Sequence, residues 1–150
     1  MRHDRLPSVI ATAIGIVALL CAAFGVFYNV NSCTVAMRGG FDSLVAQHEL
    51  SRFYPAFFIM SAICVTFYIL LFWCGVQFLR RRSRAVLPFT VLMIVEVVYF
   101  FTIALFGLHV PELGISIAAA YGVANGGLMA QFVILFPVWG PPCAIRALPR

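Results

Sequence analysis

The stretch FYPAFFIMSAICVTFYILLFWCGVQFLRRRSR, residues 53–84, decides how the rest of the chain is read. Its first part is apolar and aromatic. Its end sets Arg80, Arg81, Arg82 and Arg84 almost side by side. An α-helix rises about 1.5 Å per residue, so roughly 20 apolar residues cross the ~30 Å hydrocarbon core of a bilayer. Residues 53–79 exceed that length, which predicts a tilted helix or one that extends into the headgroups. Comparable segments lie at about 7–28, 87–108 and 113–139. In lipid the backbone must satisfy its own hydrogen bonds, and ten-residue alternating strands are absent, so the four segments are expected as helices.

Composition agrees with that reading. Hydrophobic residues make up 63% of the 150 and charged residues 10%, against roughly 25% charged in an ordinary soluble domain. One soluble core of this size could not hide so much apolar surface. The net charge is +5, carried by arginine with no lysine. A basic excess can signal nucleic acid, but these arginines flank apolar spans and are better explained by membrane orientation.

The arginines then set a topology. Arg2 and Arg5 precede the first segment, Arg80, Arg81, Arg82 and Arg84 separate the second from the third, and Arg146 and Arg150 follow the fourth. The remaining connections are balanced or acidic: Arg38 and Arg52 face Asp42 and Glu49 in one, and the other holds His109 and Glu112. The positive-inside rule places both termini in the cytoplasm. The fold class is therefore an all-α integral membrane protein, a single four-transmembrane-helix domain over 1–150. The first apolar stretch exceeds the 7–15 residues of a signal h-region, so it reads as an uncleaved anchor. "VNSC", ending at Cys33, matches a lipoprotein cleavage site only loosely. The five cysteines form no Cys-x-x-Cys pair and read as small apolar residues.

The outer loop, 29–52, has its own pattern. Phe41, Leu44, Val45 and His48 fall on one face of a helix, with Asp42 placed to cap it. This predicts a short amphipathic helix at the outer surface. Pro55 suits the first turn of the second spanning helix. At the other end, Pro141–Pro142 is expected to break the fourth helix just beyond an interfacial Trp139.

Two helix faces predict close packing. Gly114, Ala118, Gly122, Gly126 and Ala130 recur every four residues in the fourth segment, and Gly122–Gly126 is a GxxxG. Ala11, Gly15, Ala18, Ala22 and Gly25 line one face of the first. Small residues at these spacings let helix backbones approach closely. The second segment is bulky by contrast, with Phe57, Phe58, Phe67, Tyr68, Phe72 and Trp73.

One carboxylate, Glu96, lies inside the third apolar run. A charge at the bilayer centre costs at least ~2.5–3.5 kcal/mol on insertion scales. Folding the third and fourth segments back on each other at 109–112 sets Glu96 level with Asn125. Tyr99 and Tyr121 then lie within about a turn, and Gln131 is nearer the cytoplasm. Burial disfavours the charged form, so a neutral, hydrogen-bonded carboxyl is expected. It can serve as interhelical glue or exchange a proton or cation.

The sequence holds no nucleophile–base constellation, phosphate-binding glycine loop or metal-binding helix motif. His48, Glu49, His109 and Glu112 come from separate loops, and nothing fixes a metal-ligand spacing among them. No cofactor is implied. The leading expectation is a small membrane protein acting by helix–helix interaction, either as an accessory or assembly subunit or as a homo-oligomer. Its partners would be the lipid bilayer and other membrane subunits or copies of itself, not nucleic acid. The alternative is a small proton- or cation-coupled transporter or channel using Glu96. Compact tails and the lack of lysine suggest a bacterial plasma membrane.

Overall fold

The computed structural model describes residues 5–47, 52–107 and 127–147. Every regular element among them is helical: α1 (Arg5–Met37), α2 (Asp42–Gln47), α3 (Phe53–Leu79), a 3₁₀ turn (Ser83–Ala85), α4 (Val86–Gly107) and α5 (Gly127–Ala147). Two helices, α1 over Val9–Met37 and α3 over Phe53–Leu79, are long and apolar enough to cross a membrane.

The first helix runs past the expected end near Tyr28 to Met37. Two of the polar residues that resemble a loop bond back to the helix itself. Asn29 Nδ2 donates to the Gly25 carbonyl at 2.8 Å, and Thr34 Oγ1 donates to the Val30 carbonyl at 2.9 Å. Such i to i−4 bonds remove the cost of polar side chains in an apolar setting. The helix stops where the chain can turn. Gly39 N–H bonds to the Ala36 carbonyl and Gly40 N–H to the Val35 carbonyl, a Schellman pair, with Gly39 at φ 74°. The connection between α1 and α3 is correspondingly shorter than the expected 29–52.

The loop helix α2 follows at once. Phe41 is buried beneath it with Ala36, Phe53 and Phe57, and Val45 packs against that cluster. The Phe41 ring meets those of Phe53 and Phe57 at 5.7 and 5.5 Å. Asp42 opens the helix and accepts a hydrogen bond from the Tyr54 hydroxyl, which ties α2 to the first turn of α3. His48 and Glu49 lie outside the described residues.

The most extensive helix pair is α1 with α3. Ala11, Gly15, Ala18, Ala22 and Gly25 are all buried. At the crossing, a Cβ on Gly15 would stand 3.1 Å from the Gly75 carbonyl oxygen, and one on Gly75 would stand 3.1 Å from that of Gly15. Neither helix could hold a larger residue there without moving apart. The bulky residues of α3 divide: Phe57 and Tyr68 point inward, whereas Phe58, Phe72 and Trp73 are exposed.

The arginine turn joins α3 to α4. Arg82 N–H bonds to the Gln77 carbonyl and Arg81 N–H to the Phe78 carbonyl, a second Schellman pair. Here the left-handed position is filled by Arg81, at φ 53°, not by glycine. An L-residue in that region costs roughly 1–2 kcal/mol. The 3₁₀ turn then leads into α4, where Phe89 packs on Phe78 at 5.1 Å.

The last helix departs from expectation at its end. It continues through Pro137, Pro141 and Pro142 to Ala147. Each internal proline removes one intrahelical bond and costs ~3 kcal/mol or more. Packing outweighs this cost: Phe136, Gly140, Ala144 and Ala147 are buried, and Phe136 meets the Phe89 ring at 5.5 Å. A break at Pro141 would release Ala144 and Ala147 from that face. The expected start of this segment near 113 lies outside the described residues.

Replacing the strained turn residue tests the Schellman geometry directly. Arg81→Gly should raise stability by about 1 kcal/mol, because glycine reaches φ > 0 without a Cβ clash. Thermal unfolding in detergent would show it, and an unchanged or lower midpoint would contradict the left-handed conformation of Arg81.

Candidate functional site

The site forms around Glu96 on α4. Two aromatic pairs set the register of α4 against α3: Phe78 with Phe89 near the arginine turn, and Phe67 with Tyr99 at 5.6 Å further along. That register places Glu96 within about one helical turn of Tyr68. Glu96 is 6% exposed and Tyr68 9%. The Glu96 carboxyl lies within Coulombic reach of Tyr68 and Cys64 on α3 and of Cys21 on α1. The Tyr99 hydroxyl, one turn beyond Glu96, meets the Cys64 thiol, a weak hydrogen-bonding partner.

Each neighbour is held by a reason legible in its own helix. Tyr68 takes its place because α1 has no side chain at Gly25. A Cβ there would fall 2.5 Å from three atoms of the Tyr68 ring. Cys21 lies one residue from Ala22, on the edge of the small face of α1, and is half-buried. Cys64 lies one turn from Tyr68 on α3, half-buried as well. Phe67 closes the cluster by turning the edge of its ring to Tyr99.

Chemically the cluster unites one carboxyl, two phenols and two thiols from three helices. The carboxyl accepts hydrogen bonds in either protonation state and donates one when neutral. The phenols and thiols can donate to the ionised form. Arg38, Arg52, Arg80, Arg81, Arg82, Arg84 and Arg146 are at helix ends or in turns and are exposed. No basic residue occurs in the sequence between Arg5 and Arg38, Arg52 and Arg80, or Arg84 and His109. Among the described residues, no group of three or more His, Cys, Asp and Glu side chains is arranged to hold a metal ion. His109 and Glu112 lie outside the described residues.

Of the residues singled out from sequence, Glu96 and Tyr99 belong to this cluster. Asn125 and Tyr121, expected beside them, lie outside the described residues. So do Gly114, Ala118, Gly122 and Gly126; Ala130 falls within α5. Sequence reasoning missed Cys21, Cys64 and Tyr68. The missing signal was the short arginine turn, which fixes the α3–α4 register as firmly as the outer turn was used to fix the next hairpin. Reading thiols as small apolar residues and Tyr68 as bulk concealed the rest.

No family model, curated protein or solved structure matches the chain. The fold and site therefore define it by class alone: an all-helical protein with two helices long and apolar enough to span a membrane and a buried carboxyl among phenols and thiols.

The fit of Tyr68 over Gly25 yields a direct test. Gly25→Ala should destabilise by about 1–3 kcal/mol, the usual cost of overpacking. Adding Tyr68→Leu to that variant should recover part of the loss. Thermal unfolding of the single and double variants would measure it, and strictly additive losses would mean the two residues do not touch.

Proposed function

We propose that the chain is an integral membrane protein whose four long helices form one transmembrane bundle, with both termini cytoplasmic, in a bacterial plasma membrane. It acts through helix–helix contact, as an accessory or assembly subunit of a membrane complex or as a homo-oligomer. One observation carries the membrane part: only 33% of the most apolar window of α1 and 28% of that of α3 are buried inside the protein. A core helix of comparable hydropathy in a soluble protein would be mostly covered. Here the outward residues are themselves large and apolar, among them Leu20, Phe27, Phe72, Trp73, Val98 and Phe101. Faces of that size need an apolar solvent or a partner.

The orientation rests on Arg80, Arg81, Arg82 and Arg84, which are exposed together at one turn. Support for helix–helix contact comes from the small-residue face of the fourth segment and from the outer half of α1 and α3. There, Asn29, Thr34, Ser61 and Ala62 line an open cleft of about 360 Å³ beside exposed Val30 and Phe58. Small and polar residues along a lipid-facing groove favour another helix over lipid tails.

Alkaline carbonate extraction tests the membrane reading: the chain should stay in the membrane pellet, and release into the supernatant would overturn it. A cysteine at Ser83, in a background lacking the five native cysteines, should be labelled from the cytoplasmic side only. Labelling from outside would reverse the topology. Combined Gly122→Leu and Gly126→Leu should abolish crosslinked oligomers or co-purifying subunits. Unchanged crosslinking would remove the main support for action through this helix face.

A further inference from the structure

We infer that the arginine turn between α3 and α4 binds the headgroup phosphate of an anionic phospholipid, with Arg81 at the centre of the site. The inference rests on the membrane reading of the helices but not on any helix–helix partner.

Orientation alone does not account for this turn. The positive-inside preference counts basic residues in a loop and is indifferent to their exact positions. A charge at Ser83, which is exposed and lies in ordinary 3₁₀ backbone, would serve it equally. The chain instead carries arginine at 81, in left-handed backbone at φ 53°, where glycine fits without strain. Bonds from the Arg81 N–H to the Phe78 carbonyl and from the Arg82 N–H to the Gln77 carbonyl hold that conformation. The turn also has a firm base. Phe78, Ala85 and Phe89 are fully covered beneath it, and Arg82 Nη1 reaches Gln77 Oε1 at 3.5 Å. A fixed backbone therefore presents Arg80, Arg81, Arg82 and Arg84, all exposed.

No described carboxylate neutralises them. Asp42 lies beside the opposite end of α3, bonded to Tyr54, and Glu96 is buried further along α4. An anion from outside is the matching partner. Phosphate suits best, because a planar guanidinium grips it with two parallel N–H donors. The surroundings decide which phosphate. Leu79, just before the arginines, is 40% exposed, and Leu87, just after them, is 66% exposed. At about 1.5 Å of rise per residue, the arginines lie within roughly one helical turn of side chains that face hydrocarbon. Trp139 marks the same end of the bundle. It is exposed, and its ring meets Phe136, which meets Phe89 in the first turn of α4. An exposed indole belongs at the headgroup layer. A lipid phosphate carries acyl chains that cover these apolar side chains. A free phosphate or a nucleic-acid backbone would leave both leucines and the indole in water.

Native mass spectrometry of the full chain in detergent tests the site, with phosphatidylglycerol and phosphatidylcholine of identical acyl chains as probes. The natural chain should retain phosphatidylglycerol in preference, and Arg81→Gly should reduce that preference about fivefold, the factor expected for one basic residue at a membrane surface. Arg81→Gly relieves backbone strain, so lost preference in it does not report unfolding. Combining it with Ser83→Arg restores the charge count but should not restore the preference. Full recovery would mean that charge number alone matters and would overturn the site. Equal retention of the two lipids by the natural chain, or undiminished preference in Arg81→Gly, would overturn it as well. Inorganic phosphate at matched ionic strength should leave the lipid adducts in place. Their displacement by it, or by an RNA oligonucleotide, would assign the turn to a soluble partner instead. A chain released by carbonate overturns the membrane reading itself, whereas one that stays in the pellet without lipid preference overturns only this site.

Discussion

The contact on which the structure depends is the approach of α1 to α3 at Gly15 and Gly75. Each glycine lies where a Cβ would press on the carbonyl oxygen of the other, so the two backbones nearly touch. From that point the small face of α1 runs outward under the large residues of α3, ending with Gly25 beneath the Tyr68 ring. Dispersion contacts, not hydrophobic exclusion, reward this arrangement if the surroundings are lipid, because lipid tails are as apolar as the side chains they replace. The pair then acts as a platform. Phe78 and Phe67 present ring edges to Phe89 and Tyr99, and α4 docks in the one register that satisfies both. Glu96 reaches Tyr68 and Cys21 only because that register and the glycine crossing hold together.

The helix ends show how local preference yields to larger demands. At the outer end of α1 local and global requirements agree, and glycine takes the left-handed turn position. At the end of α3 they conflict, and an arginine takes the same position at a conformational cost. A glycine would relieve that strain but remove a charge from the cluster that orients the proposed topology. Conflicts of this kind mark places where something other than local stability sets the residue. The prolines of α5 make the same point through packing. Three of them are carried inside one helix so that a face running from Phe136 to Ala147 stays buried.

How much of this was legible follows from the kind of signal involved. Helicity comes from length and apolar character, and for α3 the expected and observed helix limits coincide at 53–79. The small face of α1 was visible because alanine and glycine at fixed spacing have few other uses in a membrane helix. The end of α1 was not visible: Asn29, Asn31, Ser32 and Thr34 look like loop residues, and the bonds of Asn29 and Thr34 back to the helix cannot be read from the sequence. Nor was the end of α5, since the gain that outweighs two adjacent prolines lies in residues distant in sequence. The site was half legible. A lone carboxylate announces itself, and Tyr99 is only three residues away. Its partners on α1 and α3 depend on how two helices sit against a third, and that depends on a turn whose arginines were read for charge and not for geometry.

Two carboxylates occur among the described residues, and each lies near a tyrosine. Asp42 is exposed and accepts a hydrogen bond from the Tyr54 hydroxyl, which fastens a short helix to the start of α3. Water can replace either partner there, so the bond chooses a conformation and little more. Glu96 and Tyr68 are instead both buried, away from water's screening. A charge on that carboxyl would act on Tyr68, Cys64 and Cys21 together, since charges inside a protein are screened less than charges at its surface. Loss of the exposed Asp42–Tyr54 bond should cost little, because it is a single hydrogen bond in reach of water. At the inner cluster the side chains come from three helices, and the close α1–α3 crossing leaves little room to replace any one of them without disturbing the others.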